Sequence, residues 1–272
     1  MDVLPISTPH CRVERDGHVV IVTMDRQEAR NALSSDMLVG LASAWAYVSE
    51  QPEVRVAILT GAGGTFCAGA DLKAMGTPST DPEVQARAAA IANFHWKGLL
   101  REDLPTKPII CAVEGYAVAG GTELLVGTDL RVVGESATLG LFEAKRALFP
   151  MGGSAIRLPR QIPYCHAMDL LLTGRSVTAA EALAMGAGEQ GRPRRAGAGG
   201  GARARRRRRG LGAAGRTGDP AHLPRHPRTG RAGGAQGLRR VRLAGDRLRG
   251  RQGGGEGLQG EAPRPLPGPL MA

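Results

Sequence analysis

Thr65-Phe66-Cys67-Ala68-Gly69-Ala70-Asp71-Leu72-Lys73-Ala74-Met75 is a glycine-bearing stretch that follows a compact apolar run at residues 54–60. Val113-Glu114-Gly115-Tyr116-Ala117-Val118-Ala119-Gly120-Gly121-Thr122-Glu123-Leu124 is another, continuing the run Pro108-Ile109-Ile110-Cys111-Ala112-Val113. Both runs have the composition of strands buried on both faces of a sheet. The second passes into helix-forming residues at 122–125. The first reaches Asp81-Pro82, an N-cap with proline at the first helical position, which predicts a long amphipathic helix to about Arg101. Strand, glycine turn and helix, twice over, argue for an α/β fold with a mainly parallel sheet.

Working outward, the same texture continues. Asp16-Gly17 between two β-prone runs predicts a hairpin over 11–25. Ser34 and Ser35 can cap a helix whose apolar positions Met37, Leu38, Leu41, Trp45 and Val48 recur at helical spacing. Short strands are expected at 130–133 and 137–139 and a helix at 167–172, and Thr178-Ala179-Ala180-Glu181 is a capping box.

The 272 residues carry a formal charge of +11 and a pI near 10.5, which on average suggests an acidic partner. The average misleads. Residues 191–272 hold 20 Arg against four acids, leaving 16 basic and 21 acidic residues in 1–190. The same tail holds 21 Gly and 8 Pro, with no Phe, Tyr, Trp or Ile, too little apolar surface to offset the entropy of ordering. Two regions are therefore expected, a folded domain over 1–186 and a disordered, low-complexity tail over 187–272. Cys11, Cys67, Cys111 and Cys165 form no C-x-x-C pair and have no His at ligand spacing, so they read as small apolar residues with no metal site. No run approaches the ~18 apolar residues of a membrane helix and no signal segment opens the chain, so a cytoplasmic protein without membrane association is expected.

Glycine turns between strand and helix expose backbone N–H groups. One such turn can cradle a phosphate or simply reverse the chain, and the first does not fit the nucleotide-binding pattern G-x-x-x-x-G-K-[ST]. Two side by side can aim two donors at one oxygen, an oxyanion hole. Taken singly, Glu123 and Glu143 read as surface acids.

As a set, these motifs resemble the enoyl-CoA hydratase/isomerase (crotonase) family. The resemblance is carried by Asn31-Ala32-Leu33-Ser34, the two glycine stretches, Phe142-Glu143, Pro150-Met151-Gly152-Gly153-Ser154 and Leu158-Pro159-Arg160, in order and at similar spacing over 1–186. It implies a spiral of ββα units, assembled as a homotrimer or dimer of trimers, that binds an acyl-CoA thioester. It implies a hydratase, a lyase adding water to an α,β-unsaturated thioester or removing it. Coenzyme A would arrive as part of the substrate, with no separate cofactor. The amides of Ala70 and Gly120 would form the oxyanion hole, Glu123 would handle water and Glu143 the proton at Cα. Ala32, Ala68, Asp71, Leu72 and Lys73 would line the substrate and CoA site. Asn31 would shape that site, Asp71 would cap the next helix, and Lys73 would meet phosphates or solvent.

Two departures from the family pattern matter. Ala119 replaces the first glycine of the usual triple, and no proline precedes Glu143, which leaves acyl specificity open. Isomerase or another reaction of the family is the alternative activity. The tail has the composition of GC-rich coding DNA read out of frame, so a frameshift near codons 186–190 is expected, to be checked by rereading the nucleotide sequence. That raises two further alternatives, an inactive truncated member or RNA binding through the arginines. Nucleic acid is not expected as a partner, because the tail lacks aromatics for base stacking.

Overall fold

The structure, a computed structural model, describes residues 1–74 and 76–190. Expectations for residues 191–272, including disorder, frameshift and RNA binding, lie outside the described residues. The domain boundary expected at 186 is passed by a short strand at Glu189–Gln190.

Among the described residues, ten strands and seven α-helices follow one another along the chain. They are β1 (Asp2–Val3), β2 (Cys11–Asp16), β3 (Val19–Met24), α1 (Ser35–Glu50), β4 (Val56–Gly61), α2 (Pro82–Ala90), α3 (Phe94–Gly98), β5 (Ile109–Val113), β6 (Tyr116–Val118) and α4 (Gly120–Val126). Then follow β7 (Leu130–Val133), β8 (Thr138–Gly140), α5 (Ser154–Gln161), α6 (Tyr164–Thr173), β9 (Ser176–Thr178), α7 (Ala179–Ala184) and β10 (Glu189–Gln190). The large sheet runs β1-β2-β3-β4-β5-β7-β10. Its first three strands are antiparallel and the rest parallel. The Asp16-Gly17 signal is the hairpin between β2 and β3, with Asp16 opposite Val19 and Gly17 at φ +59°.

Continuous apolar runs were the mark of β4 and β5, and β5 is buried at every position. Alternate residues feed two cores. Ala57, Leu59, Cys111 and Val113 join the main one with Trp45, Phe66 and Leu124, while Val56, Ile58, Ile110 and Ala112 form a second cluster.

A smaller sheet, β6-β8-β9, makes a second layer. Single-residue parallel bridges, Cys67 to Ala117 and Leu33 to Ala70, carry that ladder back toward the start of the chain. Successive repeats thus place a strand in the large sheet, a short segment in the second layer, and then a helix. This is the expected ββα spiral, and it sets Leu33, Ala70, Gly120 and Glu143 at or just past the second-layer segments of four successive repeats.

The helix expected to run from Asp81 to about Arg101 is broken. Its start is as predicted, with the Asp81 carboxylate accepting from the Glu83 and Val84 amides. It stops at Ala90, and Asn93 takes a left-handed conformation (φ 57°, ψ 33°) that Asn tolerates better than most residues. The break swings α3 onto α1, where the Trp45 indole N–H donates to the Gly98 carbonyl at 3.1 Å. Packing overrides local periodicity.

Candidate active site

The two glycine turns meet. The Cys67 amide donates to the Tyr116 carbonyl at 2.8 Å, and Val118 N–H donates back to Cys67 at 3.0 Å. On the far side of the first turn, Leu33 N–H donates to Gly69 at 2.8 Å and Asp71 N–H to Leu33 at 3.1 Å. Ala70 lies between these bonded neighbours. Gly120 is the first residue of α4, so its N–H precedes the helix's own ladder. A Cβ on Gly120 would sit 3.5 Å from the Ala70 nitrogen, and one on Gly69 would sit 3.3 Å from the Gly120 nitrogen. Two backbone amides therefore border one small gap. Gly69, at φ +91°, cannot carry a side chain there without strain, and its Cβ would meet the Ala119 methyl at 2.8 Å. Ala119 itself holds φ 50°, ψ −120°, a conformation costly for a residue with a Cβ, immediately before the Gly120 donor.

Glu123 follows Gly120 by one helical turn and is 5% exposed. Its carboxylate accepts from Gly152 N–H at 2.8 Å, Ser154 N–H at 3.3 Å and the Ser154 hydroxyl at 2.9 Å. Burial raises its pKa, and these donors, with Arg157 behind them, oppose the rise. Gly152 is required by close approach, since a Cβ would lie 2.6 Å from Glu123 Oε2.

Glu143 is handled differently. Its Oε2 is buried with no hydrogen-bond partner. Burial pushes its pKa up to about 7, and the nearby Glu123 carboxylate adds to the rise against the opposing backbone N–H. One carboxylate is thus fixed by donors, while the other is left half-protonated near neutrality with a free oxygen. Such a pair beside two amide donors can stabilise an enolate oxygen and move protons on its flank.

Asp71 caps a turn rather than the expected helix. Its Oδ1 accepts from the Lys73 and Ala74 amides at 3.0 and 3.1 Å, and Oδ2 accepts from Arg26 Nη1 at 2.6 Å. The Arg26 bond is the main reason its pKa lies below the ordinary value. Ala32 and Ala68 are half-buried beside the Leu33–Ala70 bridge, and Ala68 N–H donates to Arg30 at 3.1 Å. Leu72 and Lys73 are exposed. Asn31, fully buried at φ 56°, accepts from Arg26 N–H and donates to the Ala62 and Thr65 carbonyls, so it shapes the first turn. Cys67 is buried and its thiol is pushed up to about 12, which leaves no thiolate for nucleophilic chemistry.

Sequence reasoning did not find the roles of Arg26, Gly152 and Ser154. Pro150 to Ser154 stood out only as a motif, and nothing local says that its amides turn back onto a glutamate 29 residues earlier. Thr122 was also missed. Its Oγ1 lies 2.6 Å from the Ala117 carbonyl, 3.0 Å from that of Gly140 and 3.2 Å from the Gly140 nitrogen.

By its spiral of ββα units, the molecule is a crotonase-like protein, and comparison with known proteins agrees. The enoyl-CoA hydratase/isomerase family model matches residues 14–195. The enoyl-CoA hydratase EchA19 of Mycobacterium tuberculosis is 55% identical over 180 residues, covering 66% of this chain and 67% of that protein. The (E)-benzylidenesuccinyl-CoA hydratase of Thauera aromatica is 39% identical over 175 residues, 64% of this chain and 66% of that one. Among solved structures, the enoyl-CoA hydratase EchA1 of Mycobacterium marinum superposes with a TM-score of 0.61 at 39% identity, covering 68% of this chain and 70% of that one. The chain belongs to the enoyl-CoA hydratase/isomerase family. It spans about two thirds of the length of the curated relatives it matches.

Proposed function

We propose that the protein is an enoyl-CoA hydratase, adding water across the α,β-double bond of an acyl-CoA thioester or removing it in reverse. The observation that carries this reading is the asymmetric pair of carboxylates, Glu123 held by three donors and Glu143 half-buried with one buried, unpartnered oxygen, beside the Ala70 and Gly120 amides. The amides polarise the thioester carbonyl and hold the oxygen as it becomes an enolate, each worth roughly 3–4 kcal/mol in the transition state. Glu123 takes a proton from water as its oxygen bonds to Cβ. Glu143, neutral below pH 7, delivers a proton to Cα as the enolate collapses. Isomerisation only shuttles one proton and leaves the second carboxylate idle, so the pair favours hydration. Ala32, Ala68, Asp71, Leu72 and Lys73 form the wall against coenzyme A, which enters with the substrate, and no resident cofactor is required. A cytoplasmic homotrimer, or dimer of trimers, completes the proposal, with no membrane or nucleic-acid partner. Among the described residues no helix is long and apolar enough to cross a membrane.

The test is crotonyl-CoA hydration by the full-length chain, followed as loss of the conjugated thioester's absorbance. Turnover that falls by ~10²–10⁴ in Glu123→Gln and in Glu143→Gln supports the assignment. A folded protein that turns over equally well without either carboxyl overturns it.

A further inference from the structure

The two carboxylates are positioned by unlike means. Glu123 has three hydrogen bonds of its own, whereas Glu143 leaves Oε2 without a partner, so the place of the Glu143 carboxyl depends on the backbone that leads to it. That backbone leaves β8 at Gly140 and passes through Leu141 and Phe142. The Phe142 ring folds back onto Gly140, where a Cβ would lie 2.5 Å from Phe142 Cε1. Lys145 Nζ stands 5.4 Å over the same ring. What ties Gly140 to the rest of the site is Thr122. Its hydroxyl has one proton and two lone pairs. The proton goes to Ala117 O at 2.6 Å or Gly140 O at 3.0 Å, and the oxygen accepts from Gly140 N–H at 3.2 Å. Gly140 O also accepts from Ala119 N–H at 2.8 Å. Thr122 is 3% exposed and stands between Gly120 and Glu123 in the chain. One side chain therefore couples the second-layer strands β6 and β8 at the start of α4, where the amide donor and both carboxylates converge.

We infer that Thr122 is a positioning residue whose hydroxyl sets the place of Glu143 relative to Glu123 and Gly120. It touches no reacting atom and acts through the Gly140–Glu143 backbone. The inference rests on the hydratase reading for its kinetic consequence but not for its structural one. The charged group bearing on Glu143 is Glu123 from α4, while Lys145 and Arg146, which follow it in the chain, are exposed. If the segment drifts outward, burial and the Glu123 charge both weaken, and the Glu143 pKa falls toward the ordinary carboxyl value.

The experiment compares full-length wild type, Thr122→Val and Thr122→Ser. Val is nearly isosteric and lacks the hydroxyl, while Ser keeps it. Two readouts are taken, crotonyl-CoA hydration kinetics and the titration of the Glu143 carboxyl by ¹³C NMR, assigned with Glu143→Gln. In Thr122→Val, kcat is expected to fall at least about tenfold with KM within about threefold, and the Glu143 midpoint to move down by about one pH unit or more. Thr122→Ser is expected to stay near wild type in both. An unmoved midpoint in the Val variant overturns the inference, as does a Ser variant damaged as much as Val, which would mean packing. If wild type shows no hydration while the midpoint still moves, the hydratase reading fails and the positioning role stands. Should the Val variant not fold, Thr122→Cys, similar in size to Ser and a poor hydrogen-bond donor, replaces it under the same outcomes.

Discussion

At Glu143, stability and activity pull in opposite directions. An ordinary carboxyl of this type titrates at 4.5, and burial moves this one to about 7. Below pH 4.5 the group is neutral whether folded or unfolded, and it contributes no penalty. As pH rises from 4.5 through 7, the unfolded chain releases the proton and the folded chain resists, so stability is lost across that window. Glu143→Gln keeps a neutral side chain at all pH. The variant is therefore expected to match wild type in Tm at pH 4 and to exceed it at pH 8, with the gap opening between 4.5 and 7. A Tm difference that stays constant through that window would sink the claim that burial of an unpartnered oxygen raises this carboxyl. On the proposed mechanism, the same titration predicts that wild-type turnover falls as pH rises above about 7, because Glu143, the proposed proton donor, is then ionised.

Among the elements, α5 matters most, because its first residue, Ser154, and the turn leading into it at Gly152 supply the donors that hold Glu123. Ser154 contributes an amide and a hydroxyl, both of which lower the Glu123 pKa against the effect of burial. Ser154→Ala removes the hydroxyl, so the Glu123 pKa is expected to rise and the acidic limb of the kcat profile to move to higher pH. The more severe change is Gly152→Ala, whose Cβ would collide with Glu123 Oε2. It is expected to cut kcat at least tenfold in a protein that still folds by circular dichroism, about 1.4 kcal/mol or more in the barrier. An acidic limb unmoved in Ser154→Ala would remove α5 from the mechanism, and full activity in Gly152→Ala would remove the turn before it. This element also marks where the sequence becomes hard to read. Strands β3, β4 and β5, the caps at Ser34 and Asp81, and the capping box at Thr178 are local signals, and the chain displays them openly. Helix α5 carries Pro159 inside it, and β6 and β9 are three residues long, too short to show a period. The break at Asn93 follows from packing of α3 on α1 and not from any breaker residue. Ala70, Gly120, Glu123 and Glu143 were legible as motif positions, yet their supports, Thr122, Gly152 and Ser154, act over contacts distant in sequence.

At the scale of the whole molecule, Arg131 ties together the last strands of the parallel sheet among the described residues. It sits on β7 between β5 and β10, and its guanidinium donates to four oxygens from different parts of the chain. These are Leu125 O at 3.1 Å, Ala187 O at 3.2 Å, Thr128 O at 3.4 Å and Gln161 Oε1 at 2.8 Å. The helix end of α4, the last turn of α5 and the segment entering β10 are thereby held to one strand. Burial lowers the Arg131 pKa, yet the group stays a cation, so the four acceptors meet a full charge. Arg131→Met keeps the stem and removes every donor, leaving several carbonyls short of partners at about 1–3 kcal/mol each when buried. Partial solvation of the freed groups brings the expected loss to roughly 2–4 kcal/mol, read from urea denaturation. Hydrogen exchange localises the effect. Amide protection at Glu189 should fall before that of β4 and β5, because among the described residues β10 pairs two residues with β7. Turnover by the folded fraction should remain within about threefold of wild type, since Arg131 touches neither carboxylate nor either glycine turn. A variant that loses protection in β4 and β5 first would mean that the sheet is held from its centre and that Arg131 is not its clasp.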